Sequence, residues 1–173
     1  MSNIEIINRA NNQIYPQYIP ISLETVAYGS FSNTVSQTIT SNTITEVELD
    51  TTEISNLVIL DDNSKVYVNK TGLYKYEYSL QLSRTGNRSE GIEIYIRVNG
   101  LNVPRSATRY RLEKQNAEIC AFTSYIIPLN AGDYIETIVY ALTPNDNYVL
   151  THFPATVNYP LIPSSIININ QIA

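Results

Sequence analysis

Residues 73–84 read LYKYEYSLQLSR, with Tyr74, Tyr76, Tyr78, Leu80 and Leu82 alternating against Lys75, Glu77, Ser79, Gln81 and Ser83. Successive side chains of an extended chain point to opposite faces, so this pattern predicts a strand with one face in a core and the other in water. Downstream, Ile92, Ile94, Ile96 and Val98 alternate in the same way with Glu93, Tyr95, Arg97 and Asn99. Asn99-Gly100 then supplies the positive φ angles that a tight hairpin needs. Residues 117–129 form a longer apolar run, and Asn130-Ala131-Gly132-Asp133 turns the chain into a further strand over 134–141.

Shorter strands are expected over 26–31, 35–40, 44–49 and 65–69, with closing strands over 148–153 and 166–172 after a turn at 144–147. No stretch carries a heptad or helical repeat. Many short strands without crossover helices specify an all-β antiparallel sandwich. Composition agrees: in 173 residues there are 14 Tyr and no Trp, and only 16% are charged. A hydrophobic content of 43% suffices for one core but not comfortably for two.

A net charge of −5 removes the long-range attraction that nucleic-acid and anionic-membrane binders use, so neither partner is expected. One cysteine, Cys120, cannot form an intramolecular bridge, and no segment has the apolar length of a membrane span. The chain opens without a charged stretch followed by an apolar one, which argues against classical secretion. Residues 1–20, MSNIEIINRANNQIYPQYIP, are Asn-rich with two prolines and read as an extended arm.

The strand-and-turn blocks AYGSF (27–31), TGLYKYEYSLQLSRTG (71–86), IEIYIRVNGLNVPRSATR (92–109), NAEICAFTSYIIPLNAGDYIE (116–136) and IPSSIININQI (162–172) resemble the C1q/TNF-like jelly rolls. The likeness is to the version found in phage fibre proteins and in capsid-associated proteins of large DNA viruses. It divides the chain into an arm over 1–22 and one domain over 23–173. The Tyr-rich strand and the lack of Trp depart from the family pattern. The resemblance implies an antiparallel ten-stranded jelly-roll β-sandwich, trimeric, with one sheet facing the threefold axis.

If Ile135, Thr137, Val139 and Ala141 point into the sandwich, Tyr134, Ile138 and Tyr140 point out of it, and Tyr95 projects likewise from its own strand. A monomer would leave this aromatic patch wet. Tyr95, Tyr134, Ile138 and Tyr140 are therefore expected at a trimer interface, the alternative being scattered surface tyrosines.

Chemistry has little footing. Lys70-Thr71-Gly72 matches a β-lactamase fragment but lacks its partner motifs and reads as a turn. The only histidine, His152, has no triad spacing around it, and one Cys with one His is too few for zinc. Asp61-Asp62-Asn63 and Asp146 supply oxygens that suit calcium, yet these are also ordinary turn residues. Arg105, Arg109 and Arg111, with Lys114, concentrate positive charge; they suit a phosphate or acidic glycan, or form a solvated rim paired with Glu113 and Glu118. The sequons Asn69-Lys70-Thr71 and Asn87-Arg88-Ser89 matter only where a glycosylation machinery is met.

No enzyme activity and no cofactor are expected. The sequence points to a virion structural protein at the virion surface, a trimeric fibre head or capsid decoration. Residues 1–20 would fasten it to other virion or capsid proteins, and loops at 84–91, 104–107 and 144–147 would be free to meet a host glycan or protein. The alternative is a bacterial or secreted adaptor of the same fold.

Overall fold

The computed structural model describes residues 25–86, 91–142 and 147–173. The arm expected over 1–22 lies outside them, as do Asn87-Arg88-Ser89 and Asp146 and much of the loops expected at 84–91 and 144–147. The described residues form β1 (Tyr28–Asn33), β2 (Gln37–Ile39), β3 (Ile44–Glu46), β4 (Thr51–Asn56), β5 (Val58–Asp61), β6 (Lys65–Val68) and β7 (Gly72–Arg84). They continue with β8 (Ile92–Val98), β9 (Leu101–Asn102), β10 (Thr108–Tyr110), β11 (Glu118–Leu129), β12 (Tyr134–Ala141), β13 (Tyr148–Leu150) and β14 (Ser165–Gln171).

Two antiparallel sheets result. The first runs β2-β13-β7-β14-β1-β4, with β11 along the other flank of β7; the second runs β10-β8-β12-β6-β5, with β3 beside β12 and β9 beside β8. The resemblance implied ten strands, and fourteen are present among the described residues because long runs break where the backbone turns. Leu57, at φ 56°, bends the chain between β4 in the first sheet and β5 in the second. A reversal at Pro104-Arg105 separates β9 from β10.

The alternation along β7 is realised from Tyr74 to Leu82, whereas Ser83, expected on the water-facing side, is buried. Tyr74, Tyr76, Tyr78, Leu80 and Leu82 are buried between the sheets, facing Ile94, Ile96, Ile135 and Val139 of the second. Each tyrosine must bring its hydroxyl inside with it, which is costly without a partner. Tyr76 answers this with a 2.7 Å hydrogen bond to Thr137 Oγ1, a bond between the two sheets, and Tyr74 donates to Lys70 O at 2.6 Å. Burial pushes the Tyr76 phenol far above its usual range, so it stays protonated throughout ordinary conditions.

Candidate functional site

The outer face of the second sheet carries the residues singled out from sequence, and strand register orders them in rows. Across one row lie Ile44 of β3, Tyr140 of β12, Glu93 of β8 and Arg109 of β10. The next holds Glu46, Ile138 and Tyr95, and a third pairs Glu136 with Arg97 and Asn102.

This placement corrects one expectation. Ile138 does turn away from the sandwich core, but it is 0% exposed within a single chain. It sits mid-row between Glu46 and Tyr95, with Glu136 and Tyr140 two residues away on its own strand, so neighbouring side chains cover it. Tyr95, Tyr134 and Tyr140 are half-buried by their own chain. Tyr134 packs on the Tyr67 ring at 5.2 Å with Lys65 5.8 Å from its centroid, and the Arg97 guanidinium lies 5.8 Å from that of Tyr95. The greasy outer surface anticipated there is largely covered already.

Glu136, on the same face, is 2% exposed, and its Oε2 finds no hydrogen-bond partner among the described residues. Burial, and then the nearby Glu46 carboxylate, hold its pKa above the ordinary 4.5, partly offset by Arg97 and Lys65. Between 4.5 and that raised value the folded chain binds the proton more tightly than the unfolded chain does. Its contribution is therefore most favourable below 4.5 and is lost as pH rises through the folded value. Glu136→Gln should raise the melting temperature at pH 7 and bring little or no gain near pH 4. A variant-minus-parent difference that is the same at both pH values would refute this account.

The basic cluster divides. Arg109 bonds Glu93 through Nη2 and, at 3.2 Å, through Nε. Arg111 and Lys114 are exposed beyond β10. Arg105 sits in the reversal after β9 and borders an open pocket of about 400 Å³ that Glu93, Tyr95, Asn102 and Tyr140 also line. Sequence reasoning had treated Arg105 and the tyrosines as unrelated.

Asp61-Asp62-Asn63 forms the β5–β6 turn, with Asp62 and Asn63 both at φ 53°, and Asp62 pairs with Lys65 at 2.6 Å. Among the described residues no group of three His, Cys, Asp or Glu is placed to hold a metal ion. His152 follows β13 and contacts Ser36 Oγ through its backbone N–H at 3.0 Å. Thr71 of the Lys-Thr-Gly fragment accepts a hydrogen bond from Ala131 N at 2.9 Å, fastening the turn before β12.

A second surface went unnoticed in the sequence. Among the described residues β11 pairs only with β7, so its other flank is a free edge of the first sheet. Its outward side chains include Phe122, 56% exposed, and Ile126, 66% exposed. Further into this outer face one row runs Ser79 of β7, Ile166 of β14 and Ser32 of β1, and the next Glu77, Asn168 and Ser30.

Similar solved structures share this architecture. The chain superposes on the Eiger TNF of S. frugiperda with a TM-score of 0.55 and 13% identity, covering 86% of this chain and 92% of that one. For the globular domain of zebrafish complement 1qA protein the TM-score is 0.54 at 10% identity, covering 85% and 98%. For murine APRIL it is 0.52 at 14%, covering 86% and 100%. No protein-family model matches the sequence, and no curated protein matches it significantly. Two antiparallel sheets, their strand order and these superpositions together give the fold: a C1q/TNF-like jelly-roll sandwich.

Proposed function

We propose that this chain is a non-enzymatic recognition and structural head that works as a homotrimer, with the outer face of the first sheet turned toward the threefold axis. The observation that carries the reading is the exposure of Phe122 and Ile126 along the free β11 edge. A long edge strand with apolar side chains invites pairing unless something covers it. The edge with Phe122 and Ile126 and the centre with Ser79, Ile166 and Ser32 are different parts of one surface. Such a contact is heterologous, each copy presenting its edge to the next copy's centre, and heterologous contacts form a ring where the rotation between copies closes. Domains of this fold typically form homotrimers, which agrees with a ring of three. The interface is assigned here, and not to Tyr95, Tyr134 and Tyr140, because those rings are already half-covered within the chain.

On the likeness of its strand blocks to viral fibre and capsid-associated jelly rolls, the trimer is proposed to decorate a virion surface, fastened through residues 1–20. Sedimentation velocity at micromolar concentration tests the assembly: a species of about three times 19.5 kDa is expected, and a stable monomer overturns the reading. Cross-linking of residues 1–20 in intact particles tests the attachment. Links to a capsid or fibre protein support it, and their absence from purified particles removes it.

A further inference from the structure

We infer that the pocket between Tyr95, Tyr140 and Arg105 is a binding site for an acidic sugar: a hydroxyl-rich ring bearing one carboxylate. The argument begins with the backbone. Pro104 and Arg105 occupy the two central positions of a turn closed by Ser106 N–H donating to Val103 O at 3.3 Å, and Arg105 has φ 66°. With proline first and a positive φ second this is a type II turn, whose second central position favours glycine. An arginine there is strained, and strain of this kind gathers at functional sites.

The turn is held firmly. Ser106 is 3% exposed; its Oγ donates to Val103 O at 2.9 Å and accepts from Ile96 N at 3.2 Å. Tyr125 donates its hydroxyl to Ser106 O at 2.6 Å. A rigid support under a strained, exposed residue fixes where its side chain begins.

The lining chemistry then selects the ligand. Among the described residues none pairs with the Arg105 guanidinium, which leaves its planar donor fork for a carboxylate. Tyr140 and Tyr95 line the wall, the Tyr95 ring with the Arg97 guanidinium 5.8 Å from its centroid, and such aromatic walls suit the apolar face of a sugar. Glu93 already shares one oxygen, Oε1, with Arg109. That pairing weakens its pull on a free cation and leaves it an acceptor for hydroxyl groups. Asn102 Oδ1 is taken by Arg97 Nε at 2.8 Å, so its amide points a donor elsewhere. A carboxylate in the wall disfavours a phosphate dianion, and a volume of about 400 Å³ lies in the range of small-ligand pockets. The site opens on the outer face of the second sheet; Tyr125 of β11 braces its turn from within, but the exposed Phe122 and Ile126 are not part of its lining.

The test titrates the purified chain with sodium glucuronate and N-acetylneuraminate, with glucose and inorganic phosphate as comparisons, following backbone amide shifts by NMR. An acidic sugar should shift amides of residues 93–95, 102–107 and 140 in a saturable way, with glucose and phosphate at least about tenfold weaker. Arg105→Gly suits the turn and should keep the melting temperature within about 3 °C of the parent, yet weaken binding by about 10- to 100-fold. Tyr140→Leu should weaken it without unfolding the chain. The inference is overturned if neither acid binds up to about 50 mM, if glucose or phosphate binds as well, or if Arg105→Gly leaves the affinity unchanged.

Discussion

Tyr76→Ala should cost about 3–5 kcal/mol, as truncation of a large buried ring does elsewhere, because the surroundings refill such a void only in part. Set against total stabilities of about 5–15 kcal/mol, the loss places the variant close to unfolding at room temperature. The ring is 1% exposed at the centre of β7, which pairs with β11, β13 and β14, so no solvent-facing rearrangement offers relief. Tyr76→Phe separates packing from polarity. It keeps the ring but strands the buried Thr137 hydroxyl, for about 1–3 kcal/mol, whereas Tyr76→Phe with Thr137→Val removes both partners and should recover much of that loss. Urea denaturation of the parent, Tyr76→Phe, Thr137→Val and the double variant measures these differences as a double-mutant cycle. Additive single effects would mean that the 2.7 Å bond between the sheets contributes nothing.

The second large effect concerns assembly. Ile126→Asp should convert the trimer to folded monomers, because an unpaired carboxylate buried in an apolar contact costs several kcal/mol. In the single chain Ile126 is 66% exposed, so the same change should hardly alter the fold. Phe122→Asp should behave alike, and Tyr134→Asp, on the other sheet, should leave the trimer whole. Sedimentation of each variant, with circular dichroism to check its β content, reads the outcome. A trimer that survives both β11 substitutions places the interface elsewhere.

The residues legible from sequence were those whose two faces meet different surroundings. β7 and β8 alternate because one side lies in the core, and β12 begins and ends at the residues its turn signals mark. β4 and β5 escaped notice for the opposite reason. Thr51–Asn56 is exposed or half-exposed at every position, so no alternation betrays it, and a register shift in its partner between Ser30 and Phe31 disturbs the pairing further. The error over Ile138 has a related cause. Its outward direction was readable from its own strand, but its cover comes from Tyr95 and Glu46, which only the sheet register brings alongside. The pocket was hidden in the same way, since Glu93, Arg105 and Tyr140 come together through register and a turn. Phe122 and Ile126 share the exposed face of β11 with Glu118, Cys120, Ser124 and Pro128, a mixture of polar and apolar residues that gives no clean alternation against the other face.

Strand order also dictates the timetable of folding. β14 lies between β7 and β1, where Tyr28 pairs with Asn170 and Tyr76 with Ile169, so a strand that follows both of its neighbours in the chain must enter the middle of the first sheet. Until residues 165–171 are in place, β1 and β7 have no common neighbour, and each leaves one flank of its ladder open. Distant pairings of this sort close slowly, and the flanks left open meanwhile are exposed to mispairing.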